Sequence, residues 1–345
     1  MTTHPHGDVN VPELPGKAGP EAQPAGLTWS WRLRQGIGAF ERASLPVVLV
    51  ATVLIFTFLK PGEFLTVSNI RALLLQNVPL LAMIIGICFV LATREFDLSV
   101  GAIAGASAAL SVVAMARWNL GTAWAVILGI ALGAVLGLVN GILVSYLRLP
   151  SFIGTVATGS VISGVMLAIC NTSVVTGITP GFLDIMTGRI GAVPVIFIAA
   201  AVVIVVAALT LRYTLFGRHA TAIGDNPAAA LIAGVNVRRV TMYAFLMSGL
   251  FSGVCGVLLA SQSQEFYPDP AASLYIPAFA AAFLSLALGR GWRFNITGAI
   301  VGAVFLACIQ TGVTMLNEPT WLAQLLQGSI LVIAVLTLNR RRVAA

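Results

Sequence analysis

The sequence predicts an all-α fold, a polytopic membrane helix bundle of about ten transmembrane helices with both termini cytoplasmic. Three observations carry that expectation. Of 345 residues, 58% are hydrophobic and only 9% charged, with a mean hydropathy of +0.97. A soluble domain carries about 25% charged residues, so this chain cannot cover a water-facing surface. The apolar residues fall in runs of roughly 20, the length that crosses a bilayer as a helix. Threaded as below, all but four of the 19 basic residues fall on one side, as the positive-inside bias requires.

In chain order, residues 1–43 come first. They hold Pro5, Pro12, Pro15, Pro20 and Pro24 without apolar periodicity, and read as a disordered cytoplasmic tail with an amphipathic lead-in at Trp29, Trp31 and Phe40. The first apolar run starts near Ser44, too late and too long for a signal peptide. The transmembrane domain spans 44–339, with apolar runs near 44–60, 72–93, 98–116, 122–146, 151–171, 193–212, 240–262, 272–289, 294–316 and 321–338. A basic tail, 340–345, ends the chain. With the N-terminus inside, Lys60, Arg71, Arg117 and Arg189 are the basic residues left outside, and the inverse orientation is rejected. The longest outer segments, Asn171–Val193 and Ser263–Ala271, carry Asp184, Glu265 and Asp269, and the longest inner loop is Leu211–Val240. The net charge of +7 needs no nucleic acid to explain it.

Small residues recur every four positions at Gly101 and Gly105, Gly133, Gly137 and Gly141, Gly249 and Gly253, and Gly298 and Gly302. Such faces let helices approach closely, within one bundle more simply than as a dedicated dimer motif. Cys88, Cys170, Cys255 and Cys308 sit singly in apolar runs and read as small buried hydrophobes. The two lysines, Lys17 and Lys60, fit no phosphate-binding G-x-x-x-x-G-K-[ST] loop, and His4, His6 and His219 build no metal motif. The chain is expected to be no enzyme and to carry no cofactor and no metal. Any energy must come from a partner.

Within the inner loop, the stretch GDNPAAALIAGVNVRR, Gly224 to Arg239, has helix punctuation at both ends. Asn226 can cap, Pro227 suits the first helical position, and Gly234 can close the helix in a left-handed conformation. The segment between, from Ala228 to Ala233, is about 10 Å long, too short to span. A helix resting on lipid headgroups would carry basic residues on one face and bulky aromatics on the other. This one is small and uncharged, with Ala229, Ala230 and Leu231, which better suits a knob in a protein groove.

Three segments together resemble a known family. The run Phe216–Ser261 looks like the cytoplasmic coupling loop, here 213–239, and the following span of monosaccharide-type ATP-binding-cassette (ABC) importer permeases, the ribose-permease group. FDLSVGAIAGASAAL, Phe96–Leu110, is similar to that family's Asp-Leu-Ser-Val-Gly segment, and Leu147–Val165 to its Leu-Pro-Ser-Phe-Ile stretch. The matches keep the family's order across roughly residues 70–340. The resemblance implies a multi-pass permease subunit of the bacterial inner membrane, paired as a homodimer with a cytoplasmic ABC ATPase and an extracytoplasmic sugar-binding protein. On that reading Asn226, Pro227, Ala229, Ala230, Leu231 and Gly234 form the helix that couples to the ATPase. Two departures bear on substrate rather than architecture. Arg94, Glu95 and Phe96 stand where the family has glycines before Asp-Leu-Ser. Leu286, Ala287 and Leu288 stand where it has a Gly-Gly pair before a Gly-rich loop, here Gly289, Arg290 and Gly291.

Asp97, with Leu98, Ser99 and Gly101, has two readings. It is either the N-cap of a span beginning at Leu98, or part of a break, Phe96–Gly101, that exposes backbone groups to a polar pathway. Amides and hydroxyls are scattered through the spans, and most should tie helices together. Gln76, Asn77, Thr155, Thr158, Gln310 and Thr314 are candidates to line a neutral pathway for a monosaccharide or polyol. Intramembrane carboxylate pairs, expected of an ion-coupled secondary transporter, are missing, which disfavours that alternative class.

Overall fold

The computed structural model describes residues 45–287 and 295–343. The N-terminal tail with Trp29, Trp31 and Phe40, the stretch Leu288–Gly289–Arg290–Gly291, and the last two residues lie outside the described residues. Among those described, nearly all regular structure is helical. The helices are α1 (Leu45–Leu59), α2 (Val67–Gln76), α3 (Val78–Leu91), α4 (Val100–Ala116), α5 (Thr122–Ser145), α6 (Ser151–Cys170), α7 (Pro180–Thr187), α8 (Val195–Tyr213), α9 (Leu215–Asp225), α10 (Pro227–Ile232), α11 (Val237–Ser263), α12 (Ala272–Ala287), α13 (Ile296–Met315) and α14 (Thr320–Val343). A two-residue antiparallel pair, β1 (Arg189–Ile190) and β2 (Val193–Pro194), separates α7 from α8.

Each apolar run of the sequence coincides with a helix. Helices α5, α6, α8, α11 and α13 are each long and apolar enough to cross a membrane, and α2 with α3 makes a sixth if that bent pair is one span. The chain is thus an all-α bundle of membrane type. The run at 72–93 is not one straight helix: α2 and α3 meet at a 44° bend. Pro79, in the first turn of α3, has no N–H to give the preceding turn, and the Asn77 amide donates to the Leu73 carbonyl at 2.7 Å at the junction. At the other end, α14 continues to Val343, so the helix extends into the segment read as a basic tail.

Helix α3 is apolar all round and buried at every position but Leu81, which makes it the centre of the bundle. Helix α11 packs along α3, α4 and α5, while α12 packs on α3, α13 and α14. By contrast α6 and α8 bury only 22% of their apolar windows, and α5 only 28%, against 72% for α11. The outer helices present their remaining apolar surface outward, as lipid allows.

The α5–α11 seam explains the glycine spacing. A Cβ on Gly137 would sit 2.7 Å from the Gly249 Cα, and one on Gly133 2.7 Å from the Gly253 Cα. The two backbones are in direct contact, so the four-residue spacing serves packing inside the bundle. Gly298 and Gly302 play the same part against Ser285 and Ala281 of α12.

Two pieces of local structure were not legible as apolar runs. The segment Asn171–Val193 contains α7 and the β-pair, anchored by Phe182, which is fully buried and whose carbonyl accepts from the Ser261 hydroxyl at 2.7 Å. It also pairs with the segment ahead of α12 through a β-bridge between Val175 and Phe266. The inner loop is not irregular either, since most of its first half is α9.

Candidate functional site

The short helix α10 is closed at both ends by its own sequence. The Asn226 side chain accepts from the N–H groups of Ala228 and Ala229, both at 3.1 Å, and Pro227 occupies the first turn, where its missing N–H costs nothing. At the other end Gly234 has φ +83°, its N–H bonds the Leu231 carbonyl, and the Val235 N–H bonds the Ala230 carbonyl. That pair of bonds is a Schellman closure, which a glycine accommodates without Cβ strain. Ala230 faces inward, 4% exposed, in a cluster with Ala92, Ala220, Ile223 and Val240. Leu231 and Ile232 face outward, 64% and 88% exposed. Ala230 therefore belongs to the loop's own core. The outward knob is Leu231 and Ile232, with Ala229 beside them.

Behind α10 lies the connection 92–99 between α3 and α4. Helix α4 begins at Val100, two residues later than an N-cap at Asp97 would start it, and Ser99 occupies the cap position. Asp97 is 1% exposed. Its Oδ1 accepts from the Ser99 N–H at 3.0 Å and the Ser99 hydroxyl at 2.5 Å, and its Oδ2 from the Ser248 hydroxyl of α11 at 2.8 Å. Ser99 Oγ in turn accepts from Asn140 Nδ2 of α5 at 2.7 Å. On the α6 side, the Leu98 N–H donates to Thr155 Oγ1 at 3.0 Å and the Phe96 N–H to Ser151 Oγ at 3.2 Å. Side chains from α6 and α11 thus satisfy backbone and carboxylate groups that a helical break would otherwise leave unpaired, and Asn140 of α5 holds the Ser99 hydroxyl. Beside them, burial pushes the Glu95 carboxyl above its usual range, offset in part by a hydrogen bond with Ser151.

Next to this knot a cleft of about 510 Å³ lies between α4, α6 and the start of α12. Leu98 lines it from the α3–α4 connection, Gly101 and Ala102 from α4, Gly159, Ser160 and Ser163 from α6, and Tyr275 from α12, with Asp269 ahead of that helix. It mixes small residues, hydroxyls and one carboxylate, a lining suited to a neutral, hydroxyl-rich solute. Sequence reasoning had Gly101 in the motif, but not its convergence with Ser160, Tyr275 and Asp269.

The six pathway candidates do not converge on that cleft. Thr155 is buried in the Asp97 knot, and Thr158 bonds back to the Thr155 carbonyl at 3.2 Å. Gln76 and Asn77 sit at the α2–α3 bend. Gln310 accepts from Gln327 of α14 at 3.3 Å, and Thr314 bonds the Gln310 carbonyl at 2.9 Å. Gln310 and Asn77 tie helices or turns together, the commoner use of polar groups between membrane helices.

The chain is similar to known permeases over most of its length. The family described as "Branched-chain amino acid transport system / permease component" matches residues 69–335. The L-arabinose ABC transporter permease of Azospirillum brasilense is 33% identical over 86% of this chain and 87% of its own. The ribose import permease of Bacillus subtilis is 34% identical over 89% and 95%, and the xylose transport system permease of Haemophilus influenzae 28% over 84% and 94%. The matched region covers every helix that builds the Asp97 knot, the cleft and α10. The chain is therefore a multi-pass inner-membrane transport protein rather than an enzyme, and it belongs to this permease family, in its ribose-type group of ABC sugar permeases.

Proposed function

We propose that this chain forms half of the translocation path of an importer for a monosaccharide or closely related polyol. A second copy supplies the other half, a cytoplasmic ATPase docks on α10, and an extracytoplasmic binding protein delivers the sugar. The arabinose, ribose and xylose in the relatives' names support a solute of that size. Ten spans carry the chain with both termini in the cytoplasm. Lipid surrounds the outward faces of α5 and α8.

The observation that carries this reading is the pairing of two features in one chain. Helix α10 is rigidly capped yet offers bare Leu231 and Ile232 to a partner, and the polar cleft stands a few residues away along the α3–α4 connection. Exposed apolar side chains on a short, capped helix in an aqueous loop are costly unless a groove receives them. The cleft's open side runs along α6, whose Phe152, Ile153 and Val156 are exposed, and a second copy there would close it. Hydroxyl groups of a sugar would exchange water for Ser160, Ser163, Tyr275 and Asp269, so passage needs no charge on the solute.

Uptake of a labelled pentose into vesicles holding the permease, its ATPase and its binding protein tests the proposal. Uptake should require ATP and persist when proton and sodium gradients are collapsed. Ser163→Trp, which fills the cleft, should abolish uptake while leaving the assembly intact. Uptake that follows an ion gradient without ATP would establish the secondary-transporter alternative instead.

A further inference from the structure

Arg94 neither lines the cleft nor bonds the Asp97 carboxylate, yet its position is unusual. It stands at φ 64°, the left-handed region. Its N–H bonds the Leu91 carbonyl at 3.0 Å and the Glu95 N–H bonds the Val90 carbonyl at 3.3 Å, so Arg94 occupies the closing position at the end of α3. Glycine is the residue that position ordinarily favours. An arginine there strains the backbone, and its side chain must be worth that strain.

The guanidinium reaches across 130 residues to the end of α9. Its Nε donates to the Gly224 carbonyl at 2.7 Å and its Nη2 to the Asp225 carbonyl at 2.8 Å. Both are charge-assisted bonds to carbonyls at a helix C-terminus, where a cation is favoured. The next residue is Asn226, the cap of α10. Ala92, two residues before Arg94, packs in the same cluster as Ala230 of α10. On the other side of Arg94 the chain is held at Phe96, Asp97 and Leu98 by Ser151, Ser248 and Thr155, and Leu98 lines the cleft.

We propose that Arg94 is a positioning residue that mechanically links the ATPase-docking loop to the floor of the cleft. The segment 94–98 is short and pinned at both ends. A displacement of α10 must therefore either carry the Asp97 knot with it or break both guanidinium bonds. Arg94 makes the first course the easier one, so closure of the ATPase is passed to Leu98 and the cleft. The proposal rests on the permease reading above.

The test uses the full complex of permease, ATPase and binding protein in vesicles, scoring sugar moved per ATP hydrolysed. Arg94→Gly is the informative variant, because it removes the side chain while giving the backbone the residue its φ prefers. It should fold and retain the ATPase on co-purification, yet sugar moved per ATP should fall roughly 5-fold or more, the size of a modest coupling free energy. Arg94→Lys, able to reach a carbonyl with a single ammonium, should recover part of the ratio. An unchanged ratio in Arg94→Gly would overturn the proposal, as would loss of ATPase co-purification, since Arg94 would then only shape the docking surface. Absence of ATP-driven uptake in the unmutated complex would instead bring down the permease reading, and this inference with it.

Discussion

At the scale of single residues, the chain's chemistry concentrates on Asp97. A buried carboxylate is tolerable only when its oxygens are satisfied, and here three hydrogen bonds from Ser99 and Ser248 do so. Asp97→Ala leaves those donors facing an apolar methyl and should destabilise the protein by about 2 kcal/mol or more. Asp97→Asn keeps the shape and one acceptor, and the Ser248 hydroxyl can turn to accept, so it should cost markedly less. Thermal unfolding of the two variants in detergent checks the order, and equal midpoints would contradict it. The residue type and its place before an apolar run were visible in the sequence. Its partners were not, because Ser248 lies 151 residues away and Asn140 is 41 residues from Ser99, and only the folded bundle brings them together.

At the scale of elements, apolar runs locate helices because membrane-spanning length is a strong signal: each run falls on helix, that at 72–93 on two, α2 and α3. The signal fails for shorter or mixed elements. Helix α9 buries Gly217, Ala220, Ile223 and Gly224 on one face, a pattern with too few large apolar residues to stand out. The bend at Asn77 was marked in the sequence by Gln76, Asn77 and Pro79, which a reading by apolar length alone passes over. Glycine spacing announced close packing but not the partner helix, which is α11 for α5. Gly137→Ala tests that seam. Alanine favours a helix by about 1 kcal/mol over glycine. The added methyl, 2.7 Å from the Gly249 Cα, meets backbone that cannot rotate away, at a cost of about 1–3 kcal/mol. The variant should unfold at lower temperature, and a rise would mean the backbones are not in contact. In α10, Ala230→Arg should lower folded yield, because it strands a charge in the cluster of Ala92, Ile223 and Val240. Ala229→Arg, on the exposed side, should leave yield unchanged. Size-exclusion profiles of the two variants decide this.

At the scale of the whole molecule, the geometry groups the segments that the charge distribution assigns to each side. The α6–α8 segment pairs with the segment ahead of α12 through Val175 and Phe266, and the charge distribution predicts that both lie outside. The α3–α4 connection bonds the end of α9 through Arg94, and the charge distribution predicts that both lie inside. Asp184→Cys and Asn226→Cys should therefore react with a membrane-impermeant thiol reagent from opposite faces, Asp184→Cys from outside. Reaction of both from one face would break the ten-span threading. We propose that a partner ATPase engages this permease at α10, through Leu231 and Ile232, side chains that the permease itself leaves exposed. Ile232→Arg tests this most directly, since Ile232 is 88% exposed and stands apart from the buried cluster around Ala230. The measurement is co-purification of the ATPase with the permease from membranes, with permease yield as the control. The account predicts wild-type yield with the ATPase lost, and an Ile232→Arg permease that retains the ATPase at wild-type stoichiometry would contradict it.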